Sequence, residues 1–232
     1  MTLHVMPLGG KRLPFFYEKL RPSDSLSISR QMQGRKFDPA LILGTANRCR
    51  FGCPRVIVCS PLRALAPFPT SFWLTCPWLV RRAGAIEAAG GVGELERWIE
   101  RRAPVEWISF NLDHQRLRLA LLPGAALNFL RRRVPRVFRR LRSGGVGGIQ
   151  YDKKNRRVHV KCIHLQIASW LALRRHPGEP WLEAQNAGQD CRGSMENLCG
   201  HPRVCRARNR EPGLEDHTLP ESRCRNLKEY WL

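Results

Sequence analysis

Apolar positions recur three and four residues apart through most of the stretch from Pro77 to Leu182, whereas Leu41 to Thr75 carries short β-branched and aromatic runs. The first pattern buries one face of a helix, and the second suits strands. Thr45 to Ser60, TANRCRFGCPRVIVCS, has a bend containing Gly52 followed by Val56, Ile57 and Val58, which predicts a hairpin. Thr70 to Thr75, with Phe72 and Trp73, predicts a third strand. Pro77 suits the first turn of a helix carrying Leu79, Ala83 and Ile86, and Gly90-Gly91 ends it. Val92, Leu95, Trp98 and Ile99 predict a second helix. Pro104 opens another, whose stripe is Trp107, Phe110, His114, Leu117 and Leu121. Leu127, Leu130, Val134, Val137 and Leu141 repeat that stripe in a helix that Pro135 kinks, with Phe129 and Phe138 expected inside. After the glycine-rich connector SGGVGGI, the residues Ile163, Ile167, Trp170 and Leu171 mark a final apolar helix that runs out near His176-Pro177.

The reading is an α+β fold, a small antiparallel sheet packed against several helices, with a helix-rich C-terminal half. A chain of 232 residues suits one domain of ordinary size with tails. Residues 1–40, polar and punctuated by prolines, read as a poorly ordered N-terminal arm with room for one short helix. Residues 41–184 form the single domain, and residues 185–232 read as a polar, cysteine-containing, disordered tail. The longest apolar stretch, Phe68 to Val80, is interrupted by Pro69 and Pro77, so no transmembrane segment is expected. The first residues lack the features of a secretory signal, which makes the cytoplasm the expected location. Nine cysteines in such a setting are expected to be reduced, and their odd number argues against a complete disulfide framework.

Charge changes the picture by naming a class of partner. The net charge is +21, and it is uneven: seven basic against three acidic residues up to position 44, 25 against nine from 45 to 184, and eight against seven beyond. A field of that sign attracts nucleic acid or another polyanion by releasing counterions. Arginine far outnumbers lysine, which a biased genome composition also produces.

The strings RCRFGCPRVI (Arg48 to Ile57), PFPTSFWLTCPWLV (Pro67 to Val80), IEAAGGVGELE (Ile86 to Glu96), GGVGGI (Gly144 to Ile149) and VKCIHLQIA (Val160 to Ala168) give the chain a further signature. In order and approximate spacing they resemble a bacterial family catalogued as domain of unknown function 501, over roughly residues 41 to 182. The resemblance implies no activity. It picks out Cys49, Cys76, and Cys162 with His164 as members of the recurring motif. Cys53 stands at a position that varies in the family, and Ser169 stands where the family's helix usually carries histidine.

Cys49, Cys76, Cys162 and His164 would make a Cys3His set of the kind that holds zinc, or mainly thiolates for an iron-sulfur cluster. Their spacing contains no C-x-x-C knuckle, so convergence must come from the fold. One geometric condition applies. Cys162 and His164 share a face only if Cys162 precedes the helix, because two residues apart on a helix they diverge by roughly 200°. Each cysteine is also, equally well, a small buried hydrophobe.

The expected function is therefore a metal-binding structural or binding protein with a cysteine-rich site. Two alternatives stay open. Arg131, Arg132, Arg133, Arg136, Arg139, Arg140 and Arg142 could track a phosphate backbone, although a solvated helix face needs no partner. Cys162, beside Lys161 and with His159 or His164 as base, could be the nucleophile of a thiol enzyme. In the tail, Cys191, Cys199, His201, Cys205 and Cys224 form a second cluster, expected not to share a ligand.

Overall fold

The computed structural model describes residues 6–8, 11–13, 15, 17–149, 157–191 and 196–199. In chain order the elements are β1 (Met6–Leu8), β2 (Lys11–Leu13), α1 (Pro22–Gln31), β3 (Ile42–Arg48), β4 (Pro54–Cys59), β5 (Leu62–Arg63), β6 (Ala66–Pro67) and β7 (Phe72–Leu74). The helical half follows with α2 (Pro77–Ala88), α3 (Gly91–Arg102), α4 (Pro104–Ala120), α5 (Gly124–Arg133), α6 (Pro135–Ser143), α7 (Ile163–Leu173), α8 (Glu179–Ala184) and α9 (Glu196–Cys199). The fold is α+β, as the hydrophobic pattern predicts.

The central strand explains the architecture. β4 reads Val56, Ile57, Val58, Cys59 without a polar interruption, and each of these side chains is buried. A strand that is apolar on both faces has to be covered on both. Its antiparallel neighbours are β3 and β7, in the order β3-β4-β7, with Val56 opposite Leu74 and Val58 opposite Phe72. Side chains alternate across a sheet, so Val56, Val58, Phe72 and Leu74 face the main core with Phe110, Leu117, Ile163 and Ile167. Ile57, Cys59 and Trp73 face the other way, onto Ile28 of α1 and Met32 just after it. The sheet is thus a layer between α1 and the remaining helices.

That second face bears on the expected N-terminal arm. Phe15 is buried in the main core, Glu18 bridges to Thr45 of β3, and α1 covers the outer face of the sheet. The reason is the exposed underside β4 would otherwise have. Asp24 fixes the start of α1 by accepting from the Arg21 backbone N–H at 2.7 Å.

The expected kink at Pro135 is a full break between α5 and α6. Val134 leaves the helical region at φ −132°, ψ 59°, as a residue before proline tends to. The expected flexible glycine connector is instead packed. Arg118, buried in α4, donates to the carbonyls of Gly144, Gly145 and Pro69. Asn111 accepts from Val146 N–H at 3.1 Å. At Gly145 a side chain would collide with Asn111, so glycine is what the close approach requires. Among the described residues no helix is long and apolar enough to cross a membrane.

Candidate metal centre

The turn between β3 and β4 is Cys49-Arg50-Phe51-Gly52-Cys53. It closes through Gly52 N–H to Cys49 C=O at 2.9 Å and Cys49 N–H to Cys53 C=O at 3.0 Å, with Gly52 at φ +85°. A left-handed backbone at that place suits glycine. Arg48 braces the turn. Its guanidinium grips Asp24 with two bonds of 2.7 Å, reaches Glu18 at 3.0 Å and donates to Gly52 C=O at 3.1 Å. Burial pushes the Asp24 carboxyl up, but the bonds from Arg48 and from the Arg21 backbone outweigh it and leave it below the ordinary range.

The far end of the chain returns to this turn. Asp190 accepts from Arg55 at 2.9 Å and from Arg50 N–H at 3.2 Å, and Gly188 C=O accepts from Arg55 at 2.9 Å. These bonds deliver Cys191. Gln31 of α1 donates to Pro54 C=O at 3.0 Å and to the Cys199 sulfur at 3.4 Å, so α1 positions α9. Cys53, Cys191 and Cys199 are buried together, with Cys49 packed against them.

Within the cluster Cys53 packs with Cys199 and against Cys49. The neighbouring Cys53 thiol and the backbone N–H groups of Phe51 and Cys53 outweigh burial and bring the Cys49 thiol down to about 6. Cys199, beside Cys53 and bonded by Gln31, comes down to about 7. Cys53 moves upward, because its neighbours Cys199 and Cys49 and its burial all favour the protonated thiol. Cys76 caps the start of α2, and burial pushes it to about 11 against the pull of the Leu79 and Trp78 N–H groups. Its backbone N–H reaches Arg55 C=O of β4 at 3.4 Å, close behind the turn, while its side chain packs in the main core. No disulfide joins any of the described cysteines.

Cys162 and His164 lie in a different group. α7 begins at Ile163, and Cys162 is its cap residue with an extended backbone, φ −167° and ψ 155°, so the condition for sharing a face with His164 is met. Glu87 of α2 completes the group. Its Oε1 accepts from Ile163 N–H at 2.6 Å and from His164 N–H at 3.3 Å, and it lies 2.9 Å from His164 Nδ1. One ligand atom from each of Glu87, Cys162 and His164 lies within 4.8 Å of the others. Burial raises the Glu87 carboxyl, but the His164 bonds and charge outweigh it and lower it on balance. Burial raises the Cys162 thiol, and the N–H groups of Leu165 and His164 only partly offset that.

The four residues singled out in the sequence therefore fall into two places: Cys49 and Cys76 by the hairpin turn, Cys162 and His164 by α7. Cys53, Cys191, Cys199 and Glu87 complete those places and were not assigned to them by the sequence. The return of Cys191 and Cys199 had one signal, the density of cysteine in a segment poor in apolar residues. Glu87 had none beyond its place in a recurring string. His201, Cys205 and Cys224 lie outside the described residues. Ser169 is fully buried, and its hydroxyl has no described hydrogen-bond partner.

All seven arginines from Arg131 to Arg142 are exposed, and none forms an ion pair with a described residue. Phe138 is half-buried, but Phe129, expected inside, is 50% exposed. Leu130 takes the buried position of α5 in its place.

No curated protein and no solved structure matches the chain. Residues 45–181 match the family described as Protein of unknown function (DUF501). That span is more than half of the 232 residues and contains β4, the later part of β3, Cys49, Cys76, Glu87, Cys162 and His164. The chain belongs to this uncharacterised domain family.

Proposed function

We propose that the protein is a thiolate metalloprotein, holding zinc or an iron-sulfur cluster at the hairpin turn with Cys49, Cys53 and Cys199, and Cys76 and Cys191 beside them. The observation that carries the reading is the gathering of Cys53, Cys191 and Cys199, with Cys49 against them, from the hairpin turn and the far end of the chain into one buried cluster. An all-sulfur donor set selects zinc or iron-sulfur chemistry over harder ions. Backbone N–H groups aimed at Cys49 favour its thiolate, the form a metal takes. An ion there would staple the C-terminal segment to the hairpin, contributing folding energy that this polar segment cannot supply from a core of its own.

The test is elemental analysis with an absorbance spectrum on full chain purified without chelator. Zinc, or iron with a broad visible band, is expected, and Cys53→Ser should lower the zinc content by about one per chain or remove the visible band. A folded, metal-free protein that also fails to take up added zinc would defeat the reading.

A second reading, binding of nucleic acid along α5 and α6, gains from one observation: Phe129 is exposed among arginines that form no ion pair with a described residue, where a base could stack. Binding to single-stranded RNA should then weaken steeply with salt, and replacing four stripe arginines by glutamine should flatten the dependence. An unchanged slope would count against it. For the thiol-enzyme alternative the raised pKa of Cys162 argues the other way.

A further inference from the structure

We infer that Glu87, Cys162 and His164 form a second, separate divalent-metal site with an open coordination position, which takes a small oxyanion from the adjoining pocket. The argument starts from the donors. One carboxylate, one thiolate and one imidazole from α2 and the start of α7 meet within 4.8 Å, and each is about half-buried. This is a mixed O, S, N set of three, and three protein ligands with a fourth place for water or substrate is the pattern of zinc sites that bind exogenous ligands.

The contacts already made in this group preposition the donors. Glu87 Oε1 caps the N-terminus of α7 and lies 2.9 Å from His164 Nδ1, so an ion shared by the two would sit at Nδ1 in place of that hydrogen bond while the carboxylate keeps its hold on the helix start. The positive end of α7 favours the two anionic donors, and they in turn offset its field at the ion.

The fourth position has somewhere to open. Cys162 and His164 line a cavity of about 260 Å³ with Arg35, Thr70, Phe72, Trp73 and Lys161. Arg35 lies over the Trp73 ring, 5.3 Å from its centre, and is held there by a bond of 2.9 Å to Leu74 C=O. The wall carries two cationic side chains and no carboxylate, so the ligand that suits it is anionic. The volume is below the roughly 300–1,000 Å³ of drug-sized sites, which limits the ligand to a small phosphate or carboxylate.

The experiment uses full-length protein stripped with chelator and titrated with Co2+, followed by absorbance and equilibrium dialysis. Wild type should take up Co2+ in a step that Glu87→Gln weakens at least tenfold, because glutamine keeps the acceptor that caps α7 but not the charge. His164→Ala should do the same. Cys53→Ser should leave that step intact, which separates it from the cluster at the hairpin turn, and the step should persist even if that cluster binds nothing. Inorganic phosphate should then perturb the cobalt d–d bands of this ion, and Lys161→Ala should weaken the phosphate effect several-fold while Co2+ stays bound. Co2+ uptake indifferent to Glu87→Gln and His164→Ala would overturn the metal site. Bands unmoved by millimolar phosphate would overturn the open position.

Discussion

The hairpin turn and the α7 start each present a cysteine at the head of a helix, Cys76 before α2 and Cys162 before α7, yet the two surroundings differ in kind. At the turn, sulfur meets sulfur: Cys53 is buried with Cys191 and Cys199 and packs against Cys49, and the segment that supplies Cys191 and Cys199 reaches the site from outside the family-matched span. At α7 the neighbours are a carboxylate and an imidazole within that span, and the site faces a pocket. A closed set of identical soft donors suits a structural ion, whereas a mixed set with room beside it suits one that exchanges ligands. The same residue type at the same place in a helix meets different partners because the elements packed against it differ.

The largest expected effect tests whether the turn depends on its brace. Arg48→Met leaves Asp24, only 2% exposed, without its guanidinium. The loss should be about 3–5 kcal/mol in urea unfolding, as for a broken buried pair. A loss below about 1 kcal/mol would mean the turn stands without it.

The next effect concerns the core on which both regions rest. Burial, with the charges of Arg118, His176 and Arg175 adding to it, lowers His114 to about 3, and burial lowers His176 to about 3. Both are neutral in the fold, and an unfolded histidine titrates near 6.5. Their contribution is thus complete above pH 6.5 and is lost as pH falls from there toward 3. Stability should drop by up to about 2.7 kcal/mol per pH unit in that window, about 1.4 for each histidine. Denaturant melts at pH 7, 6 and 5 measure it, and His176→Gln should halve the slope.

Thiol reactivity compares the two regions directly. In chelator-treated protein at pH 7, Cys49 should alkylate about fivefold faster than Cys162, its larger thiolate fraction being partly offset by weaker nucleophilicity. Mass spectrometry of timed iodoacetamide reactions reads the ratio, and a faster Cys162 would revive the nucleophile reading. The smallest effect is a control. Replacing Arg132 or Arg139 by glutamine should change stability by no more than about 0.5 kcal/mol, since each is exposed and makes no ion pair with a described residue.

Much of the fold was legible in the sequence because it depends on near neighbours. Helical spacing located α2, α3, α4 and α7, the run Val56 to Val58 and the Phe72-Trp73 pair located the strands, and Pro77, Pro104 and Gly90 set boundaries. The sites were half legible. The resemblance to the family singled out Cys49, Cys76, Cys162 and His164, and the demand that Cys162 precede its helix could be stated in advance. Which of them share a place could not. Asp190 reaching back to Arg55, Gln31 holding Cys199, and α2 bringing Glu87 to α7 are contacts across 135, 168 and 77 positions. Local pattern fixes which face of an element is apolar and where the element stops. The pairing of distant side chains is settled only when those faces pack and the chain's remote segments find the donors left at the edges.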